Sequence, residues 1–320
     1  MTAVIRFLAT VFAVLALGVG AGAGRFAHTA IAASDLPVAA VTIGPALAPS
    51  SPPAPAEVAR VLAPAPSSGL APEPEPAWRQ HAVATTPSDG RPRIAVVLDD
   101  VGVHVPNGQR ALGLPAPVTM AIMTYAPDAA ALAARARANG HELLVHVPME
   151  PEDDTWNTGP NALRASLGPE ELGRRIEWAL GRFDGAVGIN NHMGSRFTAD
   201  AAAMAVLMEA LGARGMLFLD SLTTNRSAGR RTARAAEVTY VARDVFLDND
   251  PDPESVWSRI AEVEVFARRN GSAVAVGHPK GVTLQVLKEW LPSLAERGFV
   301  LVPLSALVGE AAPKLARIGG

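Results

Sequence analysis

Cysteine is absent from all 320 residues, which excludes a disulfide framework, a thiolate nucleophile and any Cys-based metal site. Positive charge is not in excess either. The formal net charge is −3, and no stripe interleaves aromatic with basic residues, so nothing in the chain points to nucleic acid. No internal repeat is present from which a solenoid could be built. What is present is 49% hydrophobic residues against 18% charged, the balance of a folded α/β protein with an apolar appendage. With thiols missing, the seven histidines are the only soft ligands, and their placement carries weight.

The appendage is N-terminal. A single positive charge, Arg6, precedes an apolar run from Phe7 to Leu17 and a Gly/Ala-rich continuation. At about 18 residues this is near the minimum for a membrane span and long for a signal-peptide core. Small residues at Ala30, Ala32 and Ala33 resemble a cleavage site. Residues 1–30 are therefore expected to direct export, to the periplasm or to the periplasmic face of the inner membrane. Removal as a signal peptide and retention as a membrane tether are both open. Residues 31–90 turn to Ala, Pro and Ser, with Pro52-Pro53-Ala54-Pro55 and an alternation of Pro and Glu from Pro72 to Pro76. Such a stretch has too little to bury and is expected to be a disordered, partly polyproline linker. His28 and His81 fall outside the expected folded part.

Residues 91–312 change character, leaving 313–320 as a tail. Short apolar runs at 94–98, 118–123, 142–147, 186–189, 216–219, 238–242, 273–276 and 299–302 alternate with amphipathic stretches. Helices are expected from Asp128 to Asn139, from Pro169 to Phe183 and over 199–213 with Thr198 as cap. Two more run from Asp252-Pro253 to Gly271 and from Thr283 to Gly298, the last kinked at Pro292. This alternation predicts a parallel sheet, open or closed into a barrel.

The polar residues sit at the ends of these strands. Ile94-Ala95-Val96-Val97-Leu98, three of them β-branched, leads into Asp99-Asp100, two carboxylates that on an extended chain face opposite sides. His146 follows Leu143-Leu144-Val145, and Asn190-Asn191-His192 follows Val187-Gly188-Ile189. Asp220 ends 216–219, and His278 comes just after 273–276. In a parallel α/β sheet all these ends lie on one face, so residues distant in sequence would converge there. Carboxylate and imidazole suit a divalent ion with N/O ligands, Zn²⁺ by default, and a catalytic ion of that kind acidifies water and polarises a carbonyl. A spare carboxylate and a further histidine would complete the inventory for hydrolysing an amide or ester.

The same motifs resemble the divergent polysaccharide deacetylase family, a branch of the carbohydrate esterases. They are 94–102, 142–151, 188–195, 220–224, 243–249 and Gly277-His278-Pro279, spanning nearly the whole folded part. The resemblance implies a distorted (β/α) barrel of about seven strands, a polysaccharide substrate and an exported protein. It also implies roles: Asp99 as general base, Asp100 and His146 as metal ligands, His278 as general acid. The family pattern places a second histidine ligand four residues after the first, where this chain has Glu150. The third ligand is then Glu150 or His192, and the context of His192 favours it. Glu150, Asn191, Asp220 and Arg243 fall to substrate binding or to orienting the acid and base.

Other candidates are weaker. His141 precedes a strand, at the end away from the site, and reads as structural; His104 follows the aspartate pair and is a candidate to line the cleft. Residues 226–234 read as a solvated arginine-rich loop rather than an anion clamp. Trp156 is either a stacking platform for a sugar ring or a cover for the barrel top, and Trp178, Trp257 and Trp290 are expected in the core. The functions in view are a metal-dependent deacetylase, a silent glycan- or partner-binding protein on the same fold, and hydrolysis of a non-sugar amide.

Overall fold

The structure, a computed structural model, describes residues 75–308. The expected export segment, His28, most of the linker and the tail 313–320 lie outside the described residues. Among those described, no helix is long and apolar enough to cross a membrane.

Five strands run in sequence: β1 (Arg93–Val101), β2 (Thr119–Met123), β3 (Glu142–Met149), β4 (Gly188–Met193) and β5 (Leu217–Asp220). They are followed by β6 (Tyr240–Ala242), β7 (Val245–Phe246), β8 (Ser272–Gly277) and β9 (Val300–Leu301). The order is β6-β5-β4-β3-β2-β1-β8-β7, with β9 beside β1, and every pairing is parallel. The sheet's two edges, β6 and β7, are separated only by Arg243 and Asp244. Arg243 N donates to Asp220 O on one side and Asp244 N to Val274 O on the other, at 3.1 and 2.9 Å. Taking β6 and β7 as one interrupted strand gives seven positions around the ring, a distorted (β/α) barrel.

Strand periodicity divides the apolar residues between two cores. Ile94, Val96, Leu98, Leu143, Val145 and Phe218 face outward and pack with the helices. Ala95, Val97, Ala121, Leu144, Leu217, Leu219, Val274 and Val276 form a second cluster in the barrel interior. The two strands β4 and β5 approach closely at Gly188, where a Cβ would lie 2.1 Å from Leu217 O; only glycine permits that contact.

The floor is closed by the last turns of the chain. Val300, Val302, Leu304 and Leu307 join the interior cluster, and Ser305 N donates to Glu142 Oε1 at 3.0 Å. The short helix α1 (Ala77–Gln80) seals the same cluster with Trp78, whose backbone N–H donates to Gly215 O at 3.0 Å. Packed structure thus begins inside the stretch expected to be linker to residue 90, because Trp78 has an apolar floor to cover.

The surrounding helices are α2 (Val105–Ala111), α3 (Ala129–Ala138), α4 (Pro169–Leu180), α5 (Ala201–Gly212), α6 (Gly229–Ala235), α7 (Pro253–Asn270) and α8 (Gly281–Ser293). Helix α7 starts on Asp252, which accepts from Ser255 N, and stops at Gly271 with φ 77°, as its sequence predicts. Two caps differ from expectation. Asp200, not Thr198, caps α5, because its carboxylate accepts from Ala202 N and Ala203 N. Thr283 lies inside α8, with its hydroxyl committed to Asp248. Helix α6 occupies part of the arginine-rich stretch read as a loop. Trp290 is fully buried, whereas Trp257 is 37% exposed on α7, contrary to its expected place in the core.

Candidate metal and active site

The inward parity of the strands selects the site. Continuing 95, 97 up β1 reaches Asp99, 144 up β3 reaches His146, and 188 up β4 reaches Asn190 and then His192. Likewise 217, 219 leads to Ser221 and 274, 276 to His278. Asp100 would face outward by this rule. A register shift between Leu98 and Val101 and a left-handed backbone at Asp100, φ 56°, return its carboxylate to the rim. The adjacent carboxylates therefore share one cleft, of about 460 Å³, with His146, Asn191, His192, Arg243 and His278.

Within it, Asp100 Oδ1 lies 2.8 Å from His192 Nδ1 and 3.2 Å from His146 Nε2. All three can place one ligand atom within 4.8 Å of the others. Yet Asp100 Oδ1 is buried and accepts no hydrogen bond of acceptable geometry, an arrangement that costs about 1–3 kcal/mol if nothing fills it. The next contact explains why. Asn190 Nδ2 donates to Asp99 Oδ1 at 2.7 Å, so its Oδ1 faces His146 Nδ1, at 2.8 Å. That fixes the proton on Nδ1 and leaves the Nε2 lone pair aimed at a carboxylate oxygen. With the ring neutral, two acceptors face each other there, and a shared cation satisfies both. Burial would raise the Asp100 carboxyl, but the two imidazoles outweigh it and hold it well below the usual carboxylate range. Burial would lower His146, but the charges of Asp99 and Asp100 outweigh it and push the imidazole up. The donor set, one carboxylate and two imidazoles, fits a divalent ion.

Around this group stand the other two predicted players. Asp99 is 3% exposed and accepts from Asn190 and, at 3.5 Å, from Ser221 Oγ. His278 Nε2 is 3.7 Å from Asp100 Oδ2, and its Nδ1 meets Asp248 Oδ1 at 3.0 Å. Asp248 is fully buried and also accepts from His278 N and Thr283 Oγ1, both at 2.8 Å. Burial would lower His278; the Asp248 carboxylate outweighs that and raises it, favouring an imidazolium. Phe246 sets its ring edge-on against this histidine, with centroids 5.4 Å apart.

Four predicted supporting residues fall out differently. Asp220 has outward parity: its carboxylate accepts from Leu222 N, Ser227 Oγ and Tyr240 OH and shapes the loop after β5. Glu150 accepts from Ala165 N at 2.8 Å and does not line the cleft, whereas His192 stands in one group with Asp100 and His146. Asn191 lines the cleft and accepts from Ser221 N. Arg243 lines it too, but donates to Ser221 O and Leu222 O rather than to His278. His104 accepts from Asn107 N as the cap of α2, His141 is buried between Val118 N and Leu112 O, and Trp156 is 63% exposed. Sequence reasoning assigned nothing to Asn190, Ser221 or Asp248. Strand parity would have picked out the first two; Asp248 carried no signal beyond its place in a quoted motif.

Comparison with known proteins agrees with this architecture. The family model described as divergent polysaccharide deacetylase matches residues 96–308. An uncharacterized Escherichia coli protein, YibQ, is 34% identical over 218 residues, 68% of either chain. An uncharacterized protein of Haemophilus influenzae is 33% identical over 215 residues, 67% of this chain and 76% of that one. The crystal structure of an uncharacterized protein from Agrobacterium tumefaciens superposes with a TM-score of 0.71 at 28% identity, covering 73% of this chain and 95% of that one.

Proposed function

Because the chain belongs to the divergent polysaccharide deacetylase family, we propose that it is a metal-dependent hydrolase removing N-acetyl or related acyl groups from an envelope or extracellular polysaccharide. The observation that carries this reading is the convergence of Asp100, His146 and His192 beside Asp99 and an Asp248-held His278. Asp100, His146 and His192 would hold a divalent ion, Zn²⁺ by its donor set, which when bound supplies Lewis acidity to the amide carbonyl and to water.

The chain's own residues do the rest. Asp99, fixed by Asn190 and Ser221, accepts a proton from the water that attacks the acyl carbon. His278, kept as imidazolium by Asp248, gives its proton to the nitrogen as the C–N bond breaks, leaving acetate and a free amine. The apolar N-terminal run goes with export to the periplasm, as a freed or tethered protein.

Metal analysis of the purified chain, with acetate release measured on a panel of N-acetylated glycans, tests this. A stoichiometric metal that is lost in His146→Ala, and acetate release abolished in Asp99→Asn, is the expected result. Metal uptake without hydrolysis of any N-acetyl glycan would instead mark a silent glycan binder.

A further inference from the structure

Arg243 is a cation in the cleft wall that the hydrolysis above does not use. Its Nε donates to Ser221 O at 2.9 Å and its Nη2 to Leu222 O at 3.3 Å, and the guanidinium lies 5.1 Å over the Phe246 ring. Among the described residues Nη1 has no hydrogen-bond partner and no carboxylate comes within ion-pair distance. Burial lowers its proton affinity, opposed only at longer range by the charges of Asp99, Asp220 and Asp244. A half-buried guanidinium held by two carbonyls and a ring has little freedom left to lose on meeting an anion, and its geometry suits a carboxylate.

A second observation lies in the segment that Arg243 braces. Between Asp220 and Glu237 the chain carries four arginines and no acid. Arg226 pairs with Glu152, Arg230 lies 5.1 Å over Tyr240, and Arg231 and Arg234 are exposed. Arg226 has its charge met by Glu152, so among the described residues lining the cleft Arg243 is the guanidinium left without an ion pair.

Resting on the proposed deacetylation, we propose that Arg243 selects an anionic glycan: a carboxylate on the acylated amino sugar or on its neighbour pairs with its guanidinium. The rival role for Arg243 is support of the Asp99 carboxylate by charge, which would serve neutral and acidic glycans alike.

The test compares a hyaluronan tetrasaccharide, in which glucuronate alternates with N-acetylglucosamine, with its methyl ester. Acetate release at low substrate concentration and Kd by calorimetry are measured on the Zn²⁺-loaded full chain. The acid form is expected to be favoured at least about tenfold in kcat/KM or Kd, a preference that shrinks with added salt. Arg243→Gln should bring the ratio near one, and Arg243→Lys should keep part of it. Equal handling of acid and ester by the wild-type chain overturns the proposal, as does an undiminished preference in a folded Arg243→Gln. Acetate released equally from both sinks this inference and leaves deacetylation standing; tighter binding of the acid with no acetate from either does the reverse.

Discussion

Asn190 is one amide that fixes two functional groups, since its Nδ2 holds Asp99 and its Oδ1 sets the tautomer of His146. Replacing it by alanine frees the imidazole to rotate and removes the reason for its Nε2 lone pair to face Asp100. Metal affinity should fall roughly 10–100-fold, read by calorimetric titration of the metal-free protein; unchanged affinity would deny the amide that role. Asp248 acts one step from the chemistry, so its test must separate positioning from simple loss of packing. Asp248→Asn should cut acetate release from an N-acetyl glycan towards the roughly 10²–10⁴-fold that a positioned acid supplies. It should slow p-nitrophenyl acetate far less, because a phenolate leaves without a proton. Equal losses on both substrates would reduce Asp248 to a structural role. The convergence of Asp100, His146, His192 and His278 was legible in sequence because each ends an apolar run, or comes just after one. Asn190 was not, since an amide there reads as one of two adjacent asparagines until its bonds to Asp99 and His146 distinguish it from Asn191, which meets Ser221 N. Asp248 was not because it lies in a loop, where no period exists to aim it.

Strand β4 meets β5 at Gly188, and β3 meets the closing turns of the chain at Glu142, so the strand starts at the floor end of the barrel hold two positions of low tolerance. A methyl at residue 188 would collide with Leu217 O. Gly188→Ala should therefore destabilise the fold by about 1–3 kcal/mol, measured by urea unfolding, and by displacing β4 it should also weaken metal binding. Glu142 is fully buried, and its carboxylate accepts from Ser305 N, Ser305 Oγ and Thr119 Oγ1. Burial raises its carboxyl, and those hydrogen bonds only partly oppose it. An acid whose folded affinity for protons exceeds its unfolded one contributes stability that is complete below the unfolded value and is lost as pH rises through the folded one. Glu142→Gln has no such loss. Its melting temperature relative to wild type should accordingly climb between pH 4 and pH 8, and a flat difference would refute the sign. At this scale the sequence was a good guide, since the apolar runs and the helix start and stop at Asp252 and Gly271 are local signals. The caps failed where two hydroxyl or carboxylate candidates lay within a turn and tertiary partners chose between them: Gly194 O took Thr198, and Asp248 took Thr283.

The whole barrel has two unlike ends, a polar rim that carries the cleft and an apolar floor that other parts of the chain must cover. The Val300–Leu307 segment covers part of the floor, and Trp78 the rest, from a stretch whose Pro- and Ala-rich composition gives no sign of packing. Pro76 sits so close to Gly215 that a Cβ there would lie 2.6 Å from the proline Cα, which ties α1 to the turn before β5. A chain entering at Glu75 thus joins the barrel at its floor, the end opposite the rim that carries the cleft. The dependence is measurable. A chain beginning at Arg91 exposes the apolar surface under Trp78, whose partial burial is worth about 1–2 kcal/mol. It should melt roughly 2–6 °C below one beginning at Glu75, and Trp78→Ala in the longer chain should reproduce most of that difference. Metal affinity, set at the opposite end, should be the same in all three. Equal melting temperatures would mean that Trp78 rests on the floor without sealing it, and the folded unit would then begin at β1.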